Sequence, residues 1–428
     1  MNRNDRAITG LVMLAHAMVH TYELSLPLLL LVWATEFPTV SVPLVGSFET
    51  TAFVLGAVLT AGYVPFGLGA LPGGVLADAY GSKRLIVACL VGMGVSFVGL
   101  ALSPNLLGVA FALLVWGVAA SVYHPSGLAL ISKGVDQRGS AFAYHGMAGN
   151  LGIALGPLFT AILLFVTGDW RVVVAVLGVP ALVGALAASR ISVDETAAVA
   201  AADGGTEDED SGKSARADGS ISSLSEFLSD SRTMFASLFV FAFGVAMFSG
   251  LYYRGVLTFL PDLLSSFPQL QPIEVAGYPR SLEPDQYFYS GLLMVGVLGQ
   301  YVGGKLTDRI PVSLGLVGGY GTLAVLAVLF LPVATSGLPG LLAIGALLGF
   351  FLFLVQPFYQ ATIAESTPPE ARGLSYGYTY LGVFGIGALG GTVAGGVLTY
   401  ANETALFLVL AGFGAAASLL GLVLYRKR

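Results

Sequence analysis

Apolar residues in this chain do not alternate with polar ones. They run in blocks, each long enough to cross about 30 Å of hydrocarbon, for which an α-helix needs ~20 residues. The blocks and their glycine, proline and charged breakers predict helices over 7–34, 50–79, 85–103, 106–132, 139–166 and 171–190. A second set follows over 233–264, 286–306, 312–332, 337–364, 373–400 and 404–425. The ~10-residue alternating segments of a membrane β-barrel are not found. The pattern therefore predicts an all-α membrane protein of twelve transmembrane helices. Composition agrees: 10% of residues are charged, against about a quarter in soluble domains. The first block begins like a signal peptide, with Arg3 and Arg6 ahead of it. It is too long, carries ionisable groups and lacks a clear small-residue cleavage site, so it reads as an uncleaved span.

Between the two sets, residues 191–231 include "DGGTEDEDSGKSARADGS", too polar and Gly/Ser-rich to build a core. Ten acidic residues there face only Lys213 and Arg216. The expected organisation is a helical unit over 1–190, an acidic linker over 191–231 with a short amphipathic helix at "SSLSEFLSD", and a second unit over 232–428. Sixteen of the nineteen Lys and Arg residues fall on one side of these spans. Arg171 and Arg280 lie on the other side, and Arg254 lies inside a span. The excess of basic residues marks the cytoplasmic side, so both termini and the linker are expected there, in a multi-pass cell-membrane protein. The single cysteine, Cys89, excludes an internal disulfide framework and a thiolate metal site, and its apolar surroundings make it a packing residue.

The halves repeat. Gly74 to Asp78 in "GGVLADAYGSKR" matches Gly304 to Asp308 in "GGKLTDRIP". Arg138-Gly139 matches Arg372-Gly373. "HTYELSLPLLL" at 20–30 lies over "RGVLTFLPDLL" at 254–264, setting Pro27 on Pro261 and His20 on Arg254. A parallel repeat of six spans is a transporter architecture with its site between the halves, near the midplane. No phosphate-cradling glycine–lysine loop is present, which excludes an ATP motor of that type, and nothing suggests an enzyme.

These residues resemble the major facilitator superfamily over nearly the whole chain. Its signature after the second span is met by Gly74, Asp78, Gly81, Lys83 and Arg84, with Ala79 standing where a basic residue is usual. The second copy, Gly304, Asp308 and Arg309, then degrades. The resemblance implies a cytoplasmic conformational latch at this loop; glycine there would let a neighbouring helix approach. Within the superfamily, "VYHPSGLALISKG", the Arg138-Gly139 start and the glycine-rich helix ending on Gly156-Pro157 look like fosmidomycin-resistance-type efflux proteins. That likeness implies proton-driven export of small toxic compounds. Gly146, Gly149, Gly152 and Gly156 form one stripe suited to close helix packing, which Pro157 would kink. "GIALGP" also looks like the fifth-helix signature of antiporters. There is a departure: the fourth-helix Arg often linked to proton coupling would fall at Leu113, so another group must serve.

Charge inside a bilayer costs at least ~2.5 kcal/mol on insertion scales, so it faces a partner or a wet cavity. His16, His20 and Glu23 share one face of the first helix at about 100° per residue, and His20 lies roughly 20 Å into the span. In the superfamily the first, fourth, seventh and tenth helices line the cavity, so Arg254, Tyr123, His124, Gln356 and Tyr359 are expected to converge on this stripe, while His145 sits on the fifth. Imidazole titrates near neutral pH, and a carboxylate taken out of water keeps its proton to higher pH. Glu23, His20 and His16 are therefore the proton-coupling candidates. Arg254, His20, His124, Tyr123, Gln356 and Tyr359 are the substrate candidates. Arg254 would hold an anionic group or pair with Glu23; a purely structural ion pair is the alternative. One helix cannot complete a tetrahedral metal shell, so no metal is expected, and no cofactor. The expectation is a monomeric secondary transporter exporting a small organic, drug-like or anionic compound against protons. The alternatives are import of an organic anion or sugar, or a receptor on the same fold. Its partners are the small-molecule substrate, protons and lipid; no nucleic acid is implicated.

Overall fold

The computed structural model describes residues 1–199, 224–367 and 372–427. The acidic run expected to form the linker, residues 200–223, lies outside them.

Helix α1 (Arg3–Ser25) passes through a 3-10 turn at Leu26–Leu29 into α2 (Leu30–Glu36). The break sits at Pro27, which has no N–H to continue the ladder. The second expected span is two helices, α3 (Ala52–Leu68) and α4 (Ala70–Tyr80), bent by 49° at Gly69. Then come α5 (Ser82–Ala101), α6 (Leu106–Ser121), α7 (Tyr123–Gly134), α8 (Arg138–Thr167) and α9 (Trp170–Arg190). The second half holds α10 (Leu224–Phe235), α11 (Phe239–Ser265), α12 (Pro284–Thr307), α13 (Val312–Ala334) and α14 (Leu338–Ser366). It closes with α15 (Arg372–Tyr380), a π-helical segment at Leu381–Ile386, α16 (Leu389–Tyr400) and α17 (Glu403–Lys427).

Among the described residues, ten helices are long and apolar enough to cross a membrane, and eleven with the bent α3–α4 pair. The eighth expected span, α12, is 24 residues long. It falls short in apolarity because its central stretch carries Gln300, three tyrosines and several glycines. The amphipathic linker helix is longer than expected and separate from the span after it: residues 236–238 turn between them, and Ser237 Oγ accepts from the Phe239 amide there. Two hairpins in the loops opposite the termini, β1 (Thr39–Val42) with β2 (Gly46–Glu49) and β3 (Ile273–Glu274) with β4 (Ser281–Leu282), have no counterpart in the hydropathy pattern.

Packing in the first half sets α1 on α8, α3 on α6 and α5 on α9. The second half repeats this order, with α11 on α16, α12 on α14 and α13 on α17. Across the halves, α3 meets α16 and α8 meets α12. Glycine makes the closest crossings. A Cβ on Gly67 would collide with the backbone of Gly385 in the π segment, so the halves touch main chain to main chain there.

Candidate functional site

A cavity of about 780 Å³ lies between the halves. Its walls come from α1 (His16, His20, Glu23), α7 (His124 to Ser132) and the first half of α8 (Phe142 to Ile153). Ser249 and Tyr253 of α11, Gln300 of α12, Gln356 to Ala364 of α14 and Tyr376 to Phe384 around the π segment complete them. On α7, α8, α12, α14 and around the π segment these stretches lie towards the helix ends on the side of the chain termini, and on α1 and α11 they lie near the middle of the span, so the cavity faces that side. On the opposite side the halves are joined. Arg280 Nη1 donates to the Val166 carbonyl at 2.6 Å, Tyr278 stacks on Phe165, and the Phe53 amide donates to Thr399 Oγ1 at 2.9 Å.

The chain has four histidines, and all four gather on the wall of this cavity. His16 and His20 lie one helical turn apart, and His20 Nε2 is 3.1 Å from His16 Nε2. His20 Nδ1 is 2.5 Å from Glu23 Oε2. His16 Nδ1 is 2.7 Å from the His145 carbonyl oxygen, and the His16 ring stacks on that of His145 with centroids 3.9 Å apart. His124 from α7 stands edge-on to both His16 and His20. The stack needs Gly149: a Cβ there would lie 2.5 Å from His16 Cε1.

Glu23 joins this cluster to the other half. Its Oε1 accepts from Arg254 Nη2, and both side chains are almost fully buried. The Arg254 guanidinium lies 3.7 Å over the Tyr63 ring, whose hydroxyl donates to the Glu23 carbonyl oxygen at 2.8 Å. The positive charge thus has one carboxylate and an aromatic face. A continuous chain results, from Arg254 through Glu23, His20 and His16 to the backbone of α8.

Several sequence expectations land here and others do not. His16, His20, Glu23, His124, Gln356 and Tyr359 lie on the cavity wall. Arg254 does not; it is 3% exposed, behind Glu23. Tyr123 is fully buried, its hydroxyl donating to the Val12 carbonyl. The wall also includes Asn150, Gln300, Gln360, Tyr253, Tyr376 and Tyr380, which sequence reading missed. Tyr376 and Tyr380 share a helix face in "SYGYTY", a signal hidden by the polar start of that span. One ring nitrogen each of His16, His20 and His124 lies within 4.8 Å of the others, from two helices rather than the single helix considered in sequence. The Nε2 atoms of His16 and His20 already meet each other, and His124 meets both rings edge-on.

At the loop expected to act as a latch, Asp78 pairs with Lys133 at 2.9 Å and Lys83 Nζ donates to the Ile191 carbonyl. Gly81 has φ +86°, where a side chain would be strained. Arg84 opens α5, while Asp308 and Arg309 follow α12. Gly74 and Gly304 face open space, and the close approaches are made one residue earlier, by Gly73 and Gly303. Glu195, unmarked in sequence, caps α5 through the amides of Ser82 and Lys83. Gly149, Gly152 and Gly156 each abut α1, whereas Gly146 lines the cavity; Pro157 lies inside α8.

The profile described as Major Facilitator Superfamily matches residues 24–383 and 287–428. The chain belongs to the major facilitator superfamily. Superfamily relatives and structural neighbours alike are transporters rather than enzymes, and the chain is a multi-pass membrane protein of this kind. The Na(+), Li(+), K(+)/H(+) antiporter of Planococcus maritimus is 36% identical over 102 residues, 22% of this chain and 24% of that protein. An uncharacterized MFS-type transporter, YfnC, of Bacillus subtilis is 24% identical over 322 residues, 73% of this chain and 70% of its own length. The crystal structure of a bacterial homolog to the human lysosomal transporter Spinster, inward-facing and occupied, superposes with a TM-score of 0.69 at 14% identity. It covers 100% of this chain and 98% of that one, and at such identity it speaks for the fold alone.

Proposed function

We propose that the chain is a secondary transporter of twelve spans in two six-helix units, 1–190 and 232–428, joined by the acidic linker. It works as a monomer in the cell membrane with its termini in the cytoplasm, and exports a small organic, drug-like compound in exchange for protons. The likeness of its fourth and fifth helices to fosmidomycin-resistance-type efflux proteins supports the direction. In this reading the structure is the inward-open state, since the cavity faces the termini and Arg280 and Thr399 join the halves on the other side.

One observation carries the reading: a buried, titratable chain beside the cavity runs across the halves from Arg254 to Glu23, His20 and His16. Proton gain or loss within it changes the hydrogen bonds that hold α1 to α11 and to α8, the movement alternating access requires. His124, Gln356 and Tyr359 meet the cargo on the wall. Arg254 and Tyr123 act from behind it, and the Gly74–Arg84 and Gly304–Arg309 loops act as the latch.

The test is flux of candidate compounds through liposomes holding the purified protein under an imposed pH gradient. Uphill movement opposite to the proton gradient is expected. Movement with protons would make the chain an importer, and binding without flux would make it a receptor; either result overturns the proposal.

A further inference from the structure

Building on the proton-exchange reading above, we propose that the cargo is an organic cation, which enters as one proton leaves the Glu23–His20 pair.

Counting hydrogens locates the proton. The contacts His145 carbonyl–His16 Nδ1, His16 Nε2–His20 Nε2 and His20 Nδ1–Glu23 Oε2, at 2.7, 3.1 and 2.5 Å, each need one hydrogen. The carbonyl oxygen and an ionised carboxylate supply none, and two neutral imidazoles supply two. The third hydrogen is an extra proton, wherever along the chain it rests. Without it, two lone pairs face each other across one of these contacts, and the chain must open at His145–His16, His16–His20 or His20–Glu23. The inward-open arrangement is therefore the proton-loaded one.

Charge then selects the cargo. Among the described residues, no Arg or Lys lines the cavity, and Glu23 is the one carboxylate on its wall. Arg254 is withheld behind Glu23, so an anion would meet no fixed positive group. Other groups around the pair are neutral or aromatic. They are Tyr63 on α3, Tyr123 and His124 on α7, His145 on α8, Tyr253 on α11, Tyr359 on α14 and Tyr380 on α15. With its proton the Glu23–His20–Arg254 set carries one net positive charge; without it, none. A cation settles there as the proton leaves, one positive charge exchanged for another. Aromatic side chains of Phe142, Tyr253, Tyr359, Tyr376, Tyr380 and Phe384 line the cavity, and such rings attract cations as Tyr63 already does Arg254. An anion would instead be drawn in together with the proton, which is cotransport. The proton passes from the pair to cavity water: an N–H or O–H bond breaks, a hydronium O–H forms, and the cation binds without covalent change.

The experiment titrates the purified full-length protein with tetraphenylphosphonium, a permanent cation, and with benzoate, in weak buffer with a pH indicator. Tetraphenylphosphonium is expected to bind and to release about one proton per molecule. Its affinity should fall on acidification, by up to about tenfold per pH unit, because one proton and one cation compete for the same place. Benzoate should neither bind nor compete. Glu23→Gln should abolish proton release and weaken tetraphenylphosphonium at least tenfold, since Arg254 would lose its counter-charge. Glu23→Asp, which keeps that charge, should retain release and supplies the test if the glutamine variant does not fold. Benzoate binding with proton uptake, or cation binding without proton release, would overturn this inference. Neither result touches pH-driven flux, whose absence for every compound would sink the transport reading instead.

Discussion

Removing either member of the Glu23–Arg254 pair should destabilise the protein, and by unequal amounts. Both side chains are at most 3% exposed. Breaking a buried pair by deleting one partner costs about 3–5 kcal/mol, largely because the other charge is left uncompensated. Glu23 has a second partner in His20 Nδ1, whereas Arg254 falls back on aromatic faces. Glu23→Ala should therefore cost the full ~3–5 kcal/mol, and Arg254→Ala should sit at or below the lower end. Replacing both, as Glu23→Gln with Arg254→Met, should recover most of the loss, because no buried charge remains. The chain provides its own reporter: Cys89 is the only cysteine and is fully buried. A maleimide dye that fluoresces on reaction will report its exposure as the protein unfolds with heat. A double variant no more stable than Glu23→Ala, or an Arg254→Ala variant less stable than Glu23→Ala, would refute this account of the pair.

Other substitutions separate the roles of neighbouring groups. Gly149→Ala should push the His16 ring from its stack on His145 and lower proton-coupled flux at least tenfold while the protein still inserts; wild-type flux would remove His16 from the relay. Arg280→Ala removes a hydrogen bond that holds the side opposite the termini shut, worth about 1 kcal/mol, so labelling from that side of a cysteine introduced on the cavity wall, in a Cys89→Ala background, should rise roughly fivefold. Lys133→Ala should change stability by less than about 1 kcal/mol, because its pair with Asp78 is partly exposed on both sides. Gly81→Ala should cost about 1–2 kcal/mol through its positive φ, measured by the same dye assay.

Much of the helix inventory was legible because a membrane imposes one rule: backbone polar groups must be satisfied within the segment, so apolar blocks become helices. Interruptions within blocks were less so. Pro27 marks a real break, but the bend at Gly69 packs closely on Ser121, and the π segment at Leu381–Ile386 meets Gly67 of the other half through Gly385. The face shared by His16, His20 and Glu23 followed from helical periodicity. That His145 would stack on His16, and so gather every histidine of the chain, required the α1–α8 packing that Gly149 permits. Arg254 was expected on the cavity wall because a charge in a span calls for a partner. Periodicity could not tell whether that partner would be cargo or Glu23, and in this state it is Glu23.

Proton-driven flux of wild-type and Glu23→Gln protein in liposomes, each compared with exchange of labelled for unlabelled cargo, tests the central claim most directly. The account predicts that the variant loses uphill movement while exchange persists. Undiminished uphill transport by Glu23→Gln would contradict it.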